Sequence, residues 1–117
     1  MKHSLPVLLA SSNEDLRHLL HEMLGKHGFF HVLESGAEEE TLHFFEATGE
    51  DSFALVHESL LTDAILAELR GKKNFLVLVG PDHKQLVPWT AQLGLEHFLS
   101  FPFSSRVLFE KISALLQ

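Results

Sequence analysis

Residues 75–79 read FLVLV. The run has five consecutive apolar side chains and no alternation, between Asn74 on one side and Gly80-Pro81 on the other. It is too short for a buried helix, so it predicts a strand covered on both faces, as a central strand of a parallel sheet is. Working outward, Val7–Ala10 and Phe53–His57 (FALVH) have the same character, the second ending on a histidine. Phe29–Leu33 and His97–Phe101 read as two further strands.

Between these runs the apolar period becomes helical. Ser11, Ser12 and Asn13 are all helix-capping types. They precede Leu16, Leu19, Leu20, Met23 and Leu24, and Gly25 or Gly28 can close that helix. Ser35-Gly-Ala-Glu38 has capping-box spacing ahead of a second helix, with Leu42 and Phe45 inward and an end near Gly49. Thr62–Arg70 reads as a short third helix. Asp82 and Gln85 have cap spacing for a fourth, where Pro88 requires either a late start with the proline in the first turn or a kink. Ser104 or Ser105 caps the last helix, which carries Leu108, Ile112 and Leu115. The sum is (βα)5: one α/β domain over residues 1–117, a parallel sheet with helices on both faces. Such doubly wound folds place function at the carboxyl ends of the strands. Here those positions hold Ser11 and Ser12, His57, Val79 and Gly80, and Phe101 and Pro102.

Composition narrows the function classes. The 117 residues are 45% apolar and 21% charged, which argues against disorder. Nine Lys and Arg against sixteen Asp and Glu give a net charge of −7, which repels phosphate backbones and disfavours nucleic-acid binding by this domain alone. No apolar run approaches the roughly 20 residues of a membrane helix. The stretch Leu5–Leu9 is too short for a signal-peptide core. Cysteine is absent, which removes disulfides, thiolate metal sites and cysteine nucleophiles and suits a reducing, cytoplasmic setting. The phosphate loops GxGxxG and GxxxxGK[ST] are also absent.

The ordered set of segments resembles the receiver domain of two-component response regulators over essentially the whole chain. VLLASSNEDLRHLLHEML is similar to that family's first strand, acidic pair and first helix. KHGFFHVLESGAEE is similar to its entry into strand two. FALVH stands where an apolar strand ends in the phosphoacceptor Asp, FLVLVGP where a strand ends in Thr or Ser followed by Ala, and LGLEHFLSFPF where strand five leads into Lys-Pro-Phe. The resemblance implies a flavodoxin-like five-stranded parallel sheet of order 2-1-3-4-5, with Pro102 as a candidate cis-proline.

The family's chemistry does not carry over. Ser11 and Ser12 replace the metal-holding acidic pair, His57 the phosphoacceptor, Val79 the hydroxyl residue and Phe101 the lysine. The Met-Pro-x-x-Asp-Gly-like segment is missing as well. Neutral serines cannot supply the hard anionic ligands magnesium takes, and neither Val79 nor Phe101 can stabilise a phosphoryl dianion. Strand alternation turns Glu58 away from His57, so it does not rescue the site. Phe101 is expected to plug the vacated pocket and hold one conformation.

These substitutions imply a degenerate receiver that works as a phosphorylation-independent protein-interaction module. It has no catalytic residues, metal or cofactor. Receivers commonly signal through the face of helix four, strand five and helix five. Here that face draws on Trp89, Gln92, Glu96, Phe98, Arg106, Val107 and Glu110, and it would receive a protein partner or a second copy in a homodimer. The competing reading is a small-ligand, phosphohistidine or pH-sensing domain built around His57. Nine histidines would carry a pH response, since unperturbed imidazole titrates near pH 6.5. His18 and His21 share neighbouring turns of helix one, a spacing able to grip a metal, but a solvated helix face explains them as well. An enzyme is not expected: Ser11 and His57 are the only nucleophile–base pair at the strand ends, with no orienting acid in view. A Met start and an end in the last turn of a helix suit either a stand-alone protein or a piece of a longer regulator.

Overall fold

The structure, a computed structural model, describes residues 5–48, 51–80 and 86–116. Five strands, β1 (Val7–Ala10), β2 (Val32–Ser35), β3 (Phe53–His57), β4 (Phe75–Val79) and β5 (Phe98–Ser100), alternate with five helices. These are α1 (Glu14–Lys26), α2 (Glu38–Thr48), α3 (Asp63–Leu69), α4 (Leu86–Leu93) and α5 (Ser105–Leu115). All strand pairs are parallel, and the sheet order is β2-β1-β3-β4-β5. This is the flavodoxin-like topology of receiver domains.

Strand alternation divides the core in two. Leu8, Ala54, Val56, Phe75, Val77, Val79 and Phe98 face α2, α3 and the partly buried Trp89 of α4. Val7, Leu9, Phe53, Leu55, Leu76 and Leu78 face Leu20 and Leu24 of α1 and Leu108 and Ile112 of α5. β4 is buried at all five positions, which is why FLVLV carries no polar alternation.

α1, α3 and α5 start on side-chain caps, whereas the capping box expected at Ser35–Glu38 does not form, because Ser35 Oγ bonds to Ala37 O and Thr41 Oγ1. Of the three capping residues ahead of α1, Asn13 is the cap, its Oδ1 accepting from Leu16 N–H. Gly28 (φ 88°), and not Gly25, lets the chain leave α1. Phe29 N–H there donates to Leu24 O at 3.0 Å. That exit corrects the second strand. Phe29 turns into the α1–α5 core and stacks at 6.1 Å on Phe109, while Phe30 swings out to 79% exposure. Pairing with β1 therefore begins at Val32 and runs to Ser35, where the sequence placed it at Phe29–Leu33. Thr62 and Ser104 cap α3 and α5. The described span of α4 is Leu86–Leu93 and contains Pro88 near its amino end. Gly49, Asp82 and Gln85 lie outside the described residues.

Leu78 is fully buried against α1 and α5. Leu78→Ala should lower stability by about 3 kcal/mol, read as a fall in the urea midpoint. An unchanged midpoint would contradict the two-sided burial of β4.

Candidate functional site

The carboxyl rim is assembled from the ends of β1, β3, β4 and β5. At the end of β1, Ser11 is buried. Its Oγ accepts from Asn13 N–H at 3.0 Å, and its carbonyl accepts from Arg17 Nη1 at 2.6 Å. Both of its polar groups serve the start of α1. Ser12 is exposed, and its N–H crosses to the β3–α3 connection, donating to Ser59 Oγ at 3.0 Å.

His57 closes β3 and caps the one-turn 3-10 helix Glu58–Leu60. Its Nδ1 accepts from Ser59 N–H at 3.3 Å and lies 2.8 Å from Ser59 Oγ. Ser59 Oγ already accepts from Ser12, so its own hydrogen is available for Nδ1. Both contacts make Nδ1 the acceptor, which assigns the neutral ring's proton to Nε2. The result is a relay from Ser12 through Ser59 to His57 that ties two rim loops together. Ser59 drew no attention in the sequence, because a lone serine after a strand has no distinguishing pattern.

The other two positions are apolar. Val79 is fully buried on the α2–α4 side. Phe101 sits half-buried above the rim. Its ring meets His57 edge-on at 6.0 Å and tilts onto Phe103 at 4.7 Å. Its N–H donates to Val79 O at 2.9 Å. The Phe101–Pro102 peptide bond is cis.

Glu58 corrects an expectation. Strand alternation does not apply to it, because the chain has already entered the 3-10 turn. Its carboxylate reaches the end of β4, with Oε1 3.3 Å from where a Cβ on Gly80 would stand and Oε2 buried. A carboxylate therefore does reach the rim. Even so, no group of three or more His, Cys, Asp or Glu among the described residues could hold a metal ion. Ser11 Oγ serves Asn13 and His57 Nδ1 serves Ser59, so these two do not form a nucleophile–base pair.

His18 and His21 flank a carboxylate on the neighbouring strand. Glu34 of β2 lies 2.8 Å from His21 Nδ1, 3.1 Å from Arg17 Nε and 3.9 Å from His18 Nε2. Partial burial alone would raise the Glu34 pKa. Hydrogen bonds from His21 and Arg17 and the charges of His18 and His21 outweigh it, and the carboxyl is held below its ordinary value. Sequence reasoning missed this cluster because its anchor lies on another element.

The face of α4, β5 and α5 is mixed. Arg106 and Glu110 pair at 2.9 Å on the exposed side of α5, beside Val107 at 42% exposure. Gln92 Oε1 accepts from Arg70 Nη2, which ties α4 to the end of α3. Glu96 is exposed, next to Leu95. Trp89 is half-buried against the core. Phe98 does not belong to this surface. Its side chain alternates inward and is 6% exposed, packed in the α2–α4 core.

No family model matches the sequence, and neither does any curated protein. Solved structures do match. A response-regulator receiver domain from Clostridium thermocellum superposes with a TM-score of 0.77 at 17% identity, over 95% of this chain and 93% of that one. A receiver protein from Burkholderia phymatum gives 0.72 at 14%, over 95% and 94%. A protein described as pilus assembly-related from Burkholderia pseudomallei gives 0.74 at 15%, over 98% and 91%. At these identities the likeness is one of fold, and the fold is that of receiver domains.

Two outcomes follow from the rim and the Glu34 cluster. Ser59→Ala removes the acceptor for Ser12 N–H. Amide exchange at Ser12 should speed up roughly two- to tenfold, the worth of one net hydrogen bond; an unchanged rate would show that the relay does not tie the loops. Glu34 binds its proton more weakly folded than unfolded. Its stabilisation is therefore present above the ordinary carboxylate pKa of about 4.3 and lost as pH falls through the lower folded value. Glu34→Gln should accordingly lose less stability than wild type between about pH 5 and pH 3, measured by urea unfolding at each pH.

Proposed function

We propose that this chain is a receiver-fold signalling module, a single non-enzymatic domain that works without phosphoryl transfer and docks protein partners. The observation that carries this reading is the aromatic contact at the rim. Phe101 stands edge-on to His57, where a receiver has a lysine facing an aspartate. A phosphoryl group there would meet the Phe101 ring where a receiver has its lysine, and the Glu58 carboxylate beside Gly80 adds charge of the wrong sign. Magnesium would meet two neutral serines in place of an acidic pair, and the Ser11 hydroxyl already accepts from Asn13 N–H.

The docking surface in this reading is the α4–β5–α5 face, with Trp89, Gln92, Glu96, Arg106, Val107 and Glu110 and without Phe98. It combines the apolar Trp89 and Val107 with polar and charged side chains, a mixture found at protein interfaces. Its partner is a protein, either another chain or a second copy of this one. Among the described residues no helix is long and apolar enough to cross a membrane. A cysteine-free chain suits the cytoplasm.

Titration of the 15N-labelled protein with magnesium, and then with beryllofluoride and magnesium together, tests the reading. The amides of Ser11, Ser12, His57 and Phe101 should stay in place. A saturable, magnesium-dependent shift at these amides would overturn it.

A further inference from the structure

We propose that the opposite, amino-terminal rim of the sheet holds a binding site for a partly protonated phosphate group, carried by inorganic phosphate or a small monoester. A recess of about 200 Å³ lies between the carboxyl end of α2, the entry to β3 and the turn into β4. Phe45 and Ala54 form its apolar part, and Asp51, Ser52, Lys72, Lys73 and Asn74 its polar part. Pockets for drug-sized ligands run to roughly 300–1,000 Å³, so this one suits an ion with few further atoms.

Cationic side chains gather on one side of this recess. In a chain of net charge −7, three of the nine cationic side chains fall within residues 70–73. Arg70 is turned to Gln92, and Lys72 and Lys73 line the recess. Lys72 Nζ lies 4.8 Å from the centre of the Phe45 ring, which holds its stem along the cavity wall. Among the described residues the Lys73 ammonium, the Asn74 amide and the Asp51 carboxylate make no hydrogen bond or ion pair. Ser52 is not a donor here. Thr48 Oγ1 gives its hydrogen to Phe44 O, so Ser52 gives its own to Thr48. Donors open to a bound anion are therefore the Lys73 ammonium and the Asn74 amide, and Lys72 adds positive charge at the wall.

Asp51 sets the protonation state. A carboxylate only accepts hydrogen bonds and repels a fully ionised oxyanion. Facing an anion that retains a P–O–H, it accepts that hydrogen while the lysines and Asn74 hold the ionised oxygens. Sulfate, which has the same shape and no hydrogen at neutral pH, would be refused.

The test follows amide shifts of the 15N-labelled protein at about pH 6.5 with inorganic phosphate, sulfate or glycerol 3-phosphate, at constant ionic strength. Phosphate should give saturable shifts at Ser52, Ala54, Lys73 and Asn74, and sulfate should not. A tighter response to glycerol 3-phosphate would mark the monoester as the better ligand, and a response to phosphate alone would mark the free ion. Lys73→Ala should weaken phosphate roughly tenfold. Asp51→Asn should admit sulfate. Both side chains are exposed, so both variants should keep the fold. The proposal fails if phosphate gives no saturable shift there, if sulfate acts equally on the unaltered protein, or if Lys73→Ala changes nothing. The lysines would then only neutralise the carboxyl end of α2. These outcomes are independent of the magnesium titration at the other rim.

Discussion

Two neighbouring strands, Phe53–His57 and Phe75–Val79, hold nine of their ten residues out of water, and the rest of the molecule is arranged to keep them there. A sheet that must be covered on both faces needs helices on both sides. Parallel pairing needs each of those helices as a crossover. The connections leave the strands at one rim and return at the other, so each rim gathers side chains from segments distant in sequence. The single polar residue among the ten, His57, is the last, where the strand comes out of the core.

At the carboxyl rim, hydrogen bonds and aromatic contacts join the ends of the strands. Ser12 and Ser59 join the first and third loops, and His57 closes the relay. Phe101 bridges His57 and Phe103. These contacts are internally satisfied, and none requires an ion or a covalent group to form. A receiver's rim, by contrast, carries an acidic pair that a divalent cation neutralises.

The substitutions themselves were legible in the sequence. Ser11, Ser12, His57, Val79 and Phe101 were placed by counting strands, and the absence of paired carboxylates follows from their identities. Three features were not legible, each for a physical reason. Glu58 reaches the rim because a 3-10 turn breaks the alternation that a strand would have imposed. Phe98 left the expected surface because the first residue of β5 faces α4, whereas Leu99 and Phe101 pack with the α1–α5 side. The Glu34 cluster joins side chains seventeen and thirteen residues apart, which no local pattern records.

Hydrophobic periodicity and capping residues alone determined the number, kind and order of the elements, because each depends on neighbours within a few positions. They also put Ser11, Ser12, His57, Val79 and Phe101 at the carboxyl ends of strands. Tertiary structure decided which cap was used ahead of α1, where β2 begins, that Ser59 links two loops and that Lys72, Lys73 and Asp51 share one recess. Those outcomes depend on distances between segments far apart in the chain, and only the packing of helices onto the sheet sets such distances.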